Sequence, residues 1–496
     1  MNRVELFEPE VGACTATFRW SVEPATTLYR RLSFELRFPD TIDLARVPKA
    51  LWWRLALLCL HAHWALLRPC RVNIPVRLPN GEKELWNRLV DSAVQTLEAC
   101  RGGRETARAV EILEGDAPLP PWEPLAPGVR CGAAFSGGKD SLLHAGLLSE
   151  LTGNPVLVTT TSPMPPLHDH ETPRRRQVLS DMARRRAVTL VEVRSDFRSA
   201  WDNHFADRLG YPVAVNELTD THLYLAALLA AGTALGVTHF FLASENEVQE
   251  NVECDGRVVQ HTHFMYSAVT QRSVQALIAP AGLVYSSLTT PLHSEQVQHL
   301  LWRRYPDLCD LQYSCWRVGP EEATCSRCTQ CFRLALGALR AGGSPSRMGI
   351  DLARLLVAMG SWRPPDFASR PALPGDLVGR RLHAQTVRAV RALSTPHMAA
   401  ALARSRPFAL ATPRGLHALA SYWRVRRRTR RLSVGDAPGY QAGFVRLVDP
   451  LLADRVAAIY SASFPAQEES EYRDVLARGD ALTRWIVEPI GGEAHA

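Results

Sequence analysis

The sequence predicts an α/β protein built around a doubly wound parallel sheet, with an α+β segment before it and a mainly helical segment after it. Three observations predict this class. Strand-like and helix-like patterns alternate between residues 126 and 340, a glycine-rich turn joins the first of these strands to its helix, and polar residues follow several strands. Strands that alternate with helices form parallel sheets, because each helix carries the chain back across the sheet.

The length of the chain indicates more than one domain. A single core rarely grows beyond about 250–300 residues, and this chain has 496. We predict an α+β accessory domain at 1–125, the α/β domain at 126–340 and a helical, Arg-rich region at 341–496. The proline-rich segment 117–124 is predicted to be a stiff linker. Hydrophobic residues make up 46% of the chain, which favours packing throughout over disorder.

Alternating polar and apolar residues at 14–20 and 32–38 predict strands with one face in solvent. The apolar run 51–67 predicts an amphipathic helix. This run is too short to span a bilayer, and its arginine and two histidines make it too polar. We therefore expect no membrane partner. The buried face of this helix is expected to carry Leu51, Leu55, Leu58 and Trp64. A strand at Val72–Leu78 and a helix at Glu82–Cys100 follow.

The middle part supplies the parallel sheet. The predicted strands are Cys131–Phe135, Val156–Thr161, Thr189–Arg194, His239–Ala243 and Ala276–Ala279. The predicted helices between them are Leu142–Glu150, Arg174–Arg185 and Leu218–Leu235. Ligands of such sheets bind beyond the carboxyl ends of the strands. We therefore expect the site at the polar residues that follow these strands, namely Ser136, Thr159–Ser162, Asp196 and Ser244–Asn246.

The hexapeptide 136–141, Ser-Gly-Gly-Lys-Asp-Ser, has the composition of a phosphate-binding turn. Gly137 and Gly138 let backbone N–H groups converge on an anion, and the next helix adds its dipole. Lys139 supplies a positive charge, and Ser136 and Ser141 supply hydroxyl donors. Asp140 either orients a metal or only stabilises the helix N-terminus. The spacing differs from that of the common P-loop, and the structural alternative is a solvated glycine turn.

Four cysteines predict a metal site: Cys315, Cys325, Cys328 and Cys331. Two overlapping Cys-x-x-Cys steps and one further thiolate can close a tetrahedral zinc site, whose usual role is structural. A redox pair, a persulfide carrier and an iron–sulfur cluster are the alternatives. Cys309 is a substitute ligand that ranks below Cys315.

Together these motifs resemble a known family. Ser-Gly-Gly-Lys-Asp-Ser resembles the signature of the PP-loop ATP pyrophosphatases, an adenine nucleotide alpha hydrolase-like fold. About 180 residues later come Ser-Cys-Trp and Cys-Ser-Arg-Cys-Thr-Gln-Cys-Phe-Arg, and Thr290-Pro291-Leu292 precedes the helix before them. This combination resembles 7-cyano-7-deazaguanine synthase, the QueC family, over about residues 126–340. The long form resembles QueC-like components of bacterial anti-phage gene clusters.

The resemblance implies an ATP-dependent ligase or synthase that uses Mg²⁺ and Zn²⁺ and releases AMP and pyrophosphate. The implied substrate is 7-carboxy-7-deazaguanine or a related deazapurine carboxylate. Ammonia would give an amide or nitrile, or an amine of a partner protein from the same defence cluster would accept the acyl group. Lys139, Asp140 and Ser141 are the expected catalytic residues. The loop 136–141 and Thr159 are expected to bind the nucleotide.

The substrate-side residues depart from the family, because its Tyr-Pro-Asp-Cys loop has no counterpart in this chain. Glu245 and Asn246 are the best candidates, since an amide and a carboxylate can pair with a purine-like edge. The alternative is a polar loop that caps the next element. Five further residues could assist in the site or be structural: Thr219, Asp220, His222, His261 and His263.

The net charge of +7 is compatible with anionic ligands but is weak evidence for nucleic acid. The run Arg424–Arg431 holds six arginines in eight residues, after Tyr422-Trp423. It is either a clamp for phosphates or an acidic partner, or a solvated helix face. The helices predicted in this region are Asp351–Met359, Gly379–Leu393, Met398–Arg404 and Asp449–Ser461, the last with Asp449 as N-cap and Pro450 at its first position.

Eleven scattered cysteines and an N-terminus without a signal pattern favour a reducing, cytoplasmic location. Three function classes stay open on these observations. They are a small-molecule deazapurine synthase, a QueC-like enzyme that acylates a partner protein, and a PP-loop enzyme that thiolates tRNA.

Overall fold

The protein, described here by a computed structural model, is an α/β structure with one large, mixed, mostly parallel sheet of eleven strands. The structure describes residues 1–467 apart from 80, 101–109, 121, 123–127, 163–170, 212, 250, 255–256, 261–267, 314–323, 364–373 and 436. No helix in these described ranges is long and apolar enough to cross a membrane.

The strands are β1 (Asn2–Leu6), β2 (Glu10–Val11), β3 (Thr15–Glu23), β4 (Ser33–Arg37), β5 (Cys70–Arg77), β6 (Val110–Pro118), β7 (Cys131–Ala134), β8 (Val156–Thr161), β9 (Thr189–Ser195), β10 (His239–Phe241), β11 (Asn251–Cys254), β12 (Arg257–Gln260), β13 (Val284–Ser286), β14 (Tyr440–Gln441) and β15 (Ala466–Gln467). The helices are α1 (Lys49–Trp64), α2 (Glu82–Cys100), α3 (Lys139–Thr152), α4 (Glu171–Arg185), α5 (Phe205–Arg208), α6 (Asp220–Ala234), α7 (Ala268–Ile278), α8 (Ser294–Arg304), α9 (Thr329–Arg340), α10 (Leu352–Met359), α11 (Pro374–Ala392), α12 (Thr395–Ser405), α13 (Pro413–Thr429) and α14 (Pro450–Ser461).

Five parallel strands form the half of the sheet that carries the site, in the order β13-β10-β7-β8-β9. The central strands β7 and β8 are buried along their whole length, which explains their continuous apolar or small-residue composition. The chain leaves β7 toward β8 on one side and later returns to β10 on the other. This reversal of direction between β7 and β10 is the switch point at which such sheets bind ligands.

The N-terminal strands continue the same sheet. β4 pairs antiparallel with β9, with Leu36 opposite Ser195, and the order then runs β4-β3-β1-β5-β6. Alternating burial along β3 confirms the predicted strand with one solvated face. The boundary near residue 125 stays a prediction, but the two parts share a sheet and a hydrophobic core that runs from Val4 to Tyr285.

Helices cover both faces of the parallel strands. Val156 and Val158 of β8 belong to the core that also contains α1 and α6, while Leu157 belongs to the core formed with α3, α8 and the C-terminal helices. This alternation follows from the two-residue period of a strand. The helices of the middle part therefore lie on both faces of the parallel strands, as predicted for a doubly wound sheet.

Two predictions about secondary structure are wrong. Ala276–Ala279 is not a strand, because it lies at the end of α7 and in the 3₁₀ turn that follows; the fifth parallel strand is β13. The helix predicted to be amphipathic, α1, is buried on all sides. It lies between α2 and α6, and its buried Arg54 pairs with Glu82 at 2.7 Å. A helix that is covered on every face needs no polar stripe.

Two C-terminal helices, α10 and α14, begin with an aspartate N-cap, and the one before α14 was predicted. Asp351 accepts a hydrogen bond from the N–H of Arg354 at 2.9 Å at the start of α10. Asp449 accepts one from the N–H of Leu451 at 2.7 Å before α14, with Pro450 at the first helical position. Side-chain oxygens at these positions satisfy N–H groups that the helix leaves open.

Candidate functional site

The turn between β7 and α3 forms a cradle of backbone N–H groups. Gly137 has a φ of 78°, and a Cβ there would come within 3.1 Å of Val178, so the position favours glycine. Gly138 is the N-cap of α3 and has no side chain with which to cap the first turn. The N-terminal N–H groups of α3 can therefore bind an anion, and the helix dipole adds to the attraction.

Two serines hold the turn in this shape. The hydroxyl of Ser141 donates to the carbonyl of Gly138 at 3.0 Å, and its oxygen lies 3.3 Å from that of Ser136. The N–H of Gly138 points to the hydroxyl of Ser136 at 3.4 Å. The residues predicted to bind phosphate therefore come together at the carboxyl end of the central strand.

Lys139 lies between two carboxylates. Its Nζ donates to both carboxylate oxygens of Asp140, at 2.7 and 2.8 Å, and to Oε2 of Glu245. The side chain is only 7% exposed. Burial works against the ammonium charge, but the carboxylates of Asp140 and Glu245 outweigh it and raise the pKa of Lys139 above its ordinary value. The segments that follow β7 and β10 thus contribute a shared ion cluster around the buried Lys139.

The pKa of the Glu245 carboxyl group is raised toward the neutral range. Burial raises its pKa to about 7, the positive charge of Lys139 opposes this, and the negative charges of Asp140 and Glu247 reinforce it. A carboxyl group with this pKa can both hold and release a proton under physiological conditions. The sequence predicts a substrate-binding role for Glu245 and carries no signal of the raised pKa.

A first cavity, of about 290 Å³, opens at the switch point between β7 and β10. It is lined by the turn 136–141 and by the ends of three strands. Its lining includes Phe135, Ser136, Gly138, Asp140, Ser141, Thr160, Arg175, Tyr224, Ser244 and Glu245. The position beyond the strand ends agrees with the expectation for a doubly wound sheet.

A second cavity, of about 400 Å³, adjoins the first. Its walls come mainly from α8, α9 and α11. Lys139, Asp140 and Glu245 line it from the side of the sheet, so Asp140 and Glu245 belong to both cavities. The ion cluster is therefore the common wall of two spaces, each of which can take a small molecule.

Asn246 and Glu247, which follow Glu245, hold the loop in place. The side-chain amide of Asn246 donates to the carbonyl of Thr290 at 3.1 Å, and this residue is fully buried outside both cavities. Glu247 accepts from the N–H of Ser294 at 3.1 Å and contacts Gln385 of α11. These hydrogen bonds favour the structural alternative for Asn246.

The carboxylate of Glu247 is held ionised. It is fully buried, but the imidazole of His293 at 3.3 Å and the N–H of Ser294 overcome the burial and lower its pKa to about 2. Because the carboxylate sits at the N-terminus of α8, the helix dipole also favours its charge. Glu247 therefore fixes α8 and α11 relative to Glu245.

Several other predicted residues lie away from the cavities. Thr159 is buried on β8, and its neighbour Thr160 lines the first cavity instead. Asp196 accepts hydrogen bonds from the N–H of Glu35 and from Arg31, and so fastens β9 to β4. Asp196, the polar residue that follows β9, therefore has a structural role.

The start of α6 faces α1. The hydroxyl of Thr219 lies 3.2 Å from Nε2 of His63, and the ring of His222 is 4.9 Å from that of His61. Thr219 is the N-cap residue of α6, but its side chain makes no capping hydrogen bond, and Asp220 pairs with Arg198 at 2.6 Å. His261 and His263 lie outside the described residues.

Three of the predicted metal ligands converge. Sγ of Cys331 lies 3.7 Å from that of Cys325 and 3.5 Å from that of Cys328, and the three sulfurs lie within 4.8 Å of one another. Such a cluster could hold a metal ion. Cys315 lies outside the described residues. Cys309 is used elsewhere, since its thiol donates to the carbonyl of Leu301 at 3.2 Å.

The arginine run lies on α13 and just after it, and its members divide between two roles. Arg426 donates to the carbonyl of Leu393 at 3.2 Å, and Arg428 donates to those of Gly360 and Trp362 at 2.8 and 3.2 Å. These two side chains satisfy carbonyls at the ends of α10 and α11. The others, Arg424, Arg427, Arg430 and Arg431, are exposed.

Several residues that line the cavities have no local signal in the sequence. Arg175, which donates to the carbonyl of Thr160 at 3.0 Å, sits in a helix with many arginines. Tyr224 and Gln298 are ordinary residues of helices, and only packing brings them to the cavities. Arg333 lies two residues after Cys331, and nothing in the cysteine motif indicates that it lines the second cavity.

Comparisons of this chain with protein-family models, with curated proteins and with solved structures find no match.

Proposed function

We propose that this protein is an ATP-dependent, AMP-forming enzyme of the PP-loop type that activates a carboxylate. The proposed substrate is 7-carboxy-7-deazaguanine or a related deazapurine acid, as in the QueC family that the motifs resemble. The activated acyl group passes to ammonia or to an amine of a partner protein, and the long form suits a role in anti-phage defence.

One observation carries this proposal. The turn 136–141 lies at the carboxyl end of the central strand, beside the switch point, with Lys139 buried between Asp140 and Glu245. An open helix N-terminus and hydroxyl donors line the first cavity, and Lys139 pairs with two of its lining residues, Asp140 and Glu245. This arrangement suits a polyphosphate. A solvated glycine turn would not require a lysine that is buried and paired in this way.

The first step is nucleotidyl transfer. A carboxylate oxygen of the acid attacks the α-phosphorus of ATP and forms the new C–O–P bond of an acyl-adenylate. The bond between the α-phosphorus and the bridging oxygen breaks, and pyrophosphate leaves with that electron pair. The N–H groups of the turn and Lys139 stabilise the negative charge on the phosphates, so the contribution of the protein is positioning and electrostatics.

In the second step an amine attacks the acyl carbon, and AMP leaves. The attacking nitrogen must lose a proton, and Glu245 lines both cavities with a pKa of about 7. We assign this proton to the Glu245 carboxylate. If the reaction follows the QueC family, a second ATP dehydrates the amide to a nitrile.

The residues present fit the two metals that the family uses. Asp140 provides carboxylate oxygens of the kind that Mg²⁺ prefers, and the ion would neutralise charge on the phosphates of ATP. Cys325, Cys328 and Cys331 provide converging thiolates that suit Zn²⁺, with Cys315 as the proposed fourth ligand. The zinc site would stabilise the start of α9, which forms a wall of the second cavity.

The test is product analysis by mass spectrometry with ATP, Mg²⁺ and 7-carboxy-7-deazaguanine, with and without ammonium. We expect AMP, pyrophosphate and an amide or nitrile from the wild type. In Lys139→Ala the rate should fall by about 1,000-fold, the scale of a lost charge stabiliser. Lys49→Ala is the matched control, because that lysine is exposed and pairs with Glu8 at the surface. Absence of acid-dependent AMP in the wild type would refute the proposal.

Thiolation of tRNA by a PP-loop enzyme is the second candidate. The observation that favours it is the set of four exposed arginines, Arg424, Arg427, Arg430 and Arg431, next to the half-exposed Trp423. Arginine and an aromatic ring are suited to phosphates and bases. AMP formation that depends on tRNA and a sulfur donor, and not on the acid, would select this candidate.

A further inference from the structure

The second cavity has no assigned ligand. It is larger than the first and is enclosed by three helices, and its wall toward the sheet contains Asp140 and Glu245. A ligand in this cavity would lie next to the ion cluster and across it from the phosphate-binding turn. The helices that line this cavity contribute an arginine and a glutamine whose contacts distinguish them from the other lining residues.

The arginine is Arg333 of α9. It is partly buried, and its guanidinium donates to Oε1 of Gln330. Within the described residues it makes no ion pair with a carboxylate, whereas Arg340 of the same cavity pairs with Glu295. It is close enough to Asp140 and Glu245 to interact with them electrostatically. Arg333 therefore offers a planar pair of donors to a carboxylate ligand beside the ion cluster.

The glutamine is Gln298 of α8, whose amide orientation is set by a chain of hydrogen bonds. Gln312 donates its side-chain N–H to the carbonyl of Cys309 at 3.2 Å, so its Oε1 faces Gln298. Gln298 then donates to that oxygen at 2.7 Å. Its own Oε1 is buried and has no hydrogen-bond partner among the described residues. A buried acceptor without a partner is costly in a folded protein, and a ligand N–H would satisfy it.

We propose that the second cavity binds the organic acid substrate, with its carboxylate on Arg333 and a ring N–H on Oε1 of Gln298. The ligand class is a nitrogen-containing heteroaromatic carboxylic acid of a size suited to a cavity of about 400 Å³. The first cavity is left to ATP, and the two ligands meet at Asp140 and Glu245. This inference rests on the proposed function, because it places the second substrate of that reaction in the second cavity.

The experiment measures acid-dependent exchange between ATP and labelled pyrophosphate with 7-carboxy-7-deazaguanine as the probe. We expect Arg333→Gln to raise the KM for the acid by about tenfold or more and to change the KM for ATP by less than about twofold. Gln298→Met keeps the volume and removes the acceptor, so it should raise the KM for the acid by about fivefold or more. Arg304→Gln is the control, because it removes an arginine of α8 that pairs with Glu150 outside both cavities, and both KM values should stay near those of the wild type.

The outcomes separate the inference from the function. Normal exchange in the wild type with an unchanged KM for the acid in Arg333→Gln and Gln298→Met would overturn the inference and leave the function standing. If these variants raise the KM for ATP alone, the inference is also overturned and the function stands, because the second cavity would then bind the nucleotide. Absence of acid-dependent exchange in the wild type would refute both the inference and the proposed function. If Arg333→Gln fails to fold, Arg333→Lys and Gln298→Met decide, each checked by its melting temperature.

Discussion

At the scale of single residues, the most consequential arrangement is one lysine between two acids. Lys139 pairs with both Asp140 and Glu245, so one buried positive charge faces two partly buried carboxyl groups. Burial alone would disfavour every charge in this cluster, and each ionised group depends on its neighbours. Removal of one member should therefore change the protonation of the others, and pH profiles are more informative here than activity at one pH.

Glu245 should shape the pH dependence of amide formation. Its carboxylate must be ionised to take a proton from the amine, so the rate should rise with pH around 7, where its pKa lies. Glu245→Gln should lower the rate by about 100-fold and remove this rise. The measurement is the rate of amide formation between pH 5.5 and 8.5 at fixed total ammonium, for both proteins.

Glu295→Gln provides the comparison, because that carboxylate lines the second cavity but pairs with Arg340 and Arg388. The titration of ammonium affects all three proteins equally and cancels in their ratios. A Glu245→Gln profile parallel to that of the wild type would mean that another group accepts the proton.

The residues of the turn could be predicted from the sequence because their chemistry is local. Ser136 to Ser141 form a continuous motif, and the strand and helix on either side are short-range patterns. Glu245 could be predicted from its place after a strand. Glu247, Gln298 and Arg333 could not, because their importance comes from contacts between elements that are distant in the sequence.

At the scale of elements, the cysteine cluster fixes the beginning of α9. Cys328 is the N-cap of this helix, and its sulfur accepts from the N–H of Cys331 at 3.4 Å. Arg333 follows within the first turns. A metal held by these sulfurs would therefore set the position of a wall of the second cavity as well as stabilise the fold.

Cys328→Ser should abolish stoichiometric zinc and lower the melting temperature by several degrees, because a structural metal contributes directly to folding. Metal content by mass spectrometry and thermal unfolding measure the two effects. Cys309→Ser is the matched control, since this buried thiol lies outside the cluster and hydrogen-bonds to a carbonyl that a hydroxyl can also reach. Equal zinc in both variants would contradict the assignment.

Neighbouring arginines of α13 should differ in their effect on stability. Arg428→Ala removes two hydrogen bonds to carbonyls that follow α10 and should lower the free energy of unfolding by about 1–3 kcal/mol. Arg427→Ala should change it by less than about 0.5 kcal/mol, because this side chain is exposed and lies over Trp423. Urea unfolding of the two variants measures the difference. Equal losses would mean that the run acts as one charged surface.

Elements with a clear period were predicted best. The strands at β7, β8 and β9 and the helices at α3, α4 and α6 were predicted within a few residues. The strand at Ala276–Ala279 was wrong because a short apolar run fits a helix equally well. The strand β6, Val110–Pro118, was missed because its charged residues and glycine hide the alternation, and two of its residues fall in the segment predicted as a linker.

At the scale of the whole molecule, the N-terminal strands and the parallel strands form one sheet. This could not be predicted, since the pairing of β4 with β9 joins segments about 160 residues apart. Nothing in either strand specifies its partner before folding. The α/β class was predictable from the alternation of elements, but the extent of the sheet depends on these non-local contacts.

Acid should destabilise the protein through a buried histidine cluster between α1 and α6. Burial lowers the pKa of His61 to about 4 and that of His63 to about 3, and it also lowers that of His222. The unfolded chain binds protons at these sites near pH 6.5, and the folded chain does not. Stability is therefore intact above pH 6.5 and falls as the pH drops toward 4.

Urea unfolding at pH 7.5 and 5.5 tests this. We expect the free energy of unfolding to fall by on the order of 2–4 kcal/mol at the lower pH, since one pKa unit corresponds to about 1.4 kcal/mol per group. His61→Leu should reduce this loss. His417→Gln, a change on the exposed face of α13, should not. A loss that is the same in all three proteins would assign the acid sensitivity to other groups.

The wall shared by the two cavities has a thermodynamic consequence. A ligand that draws Lys139 toward its phosphates leaves Asp140 and Glu245 more negative, and a ligand carboxylate beside them then meets more repulsion unless a cation enters with it. Occupancy of one cavity should thus alter affinity in the other, and linkage requires the factor to be the same in both directions. Titration of each ligand in the presence and absence of the other, with Mg²⁺ varied, would give both the sign and the size of this cooperativity.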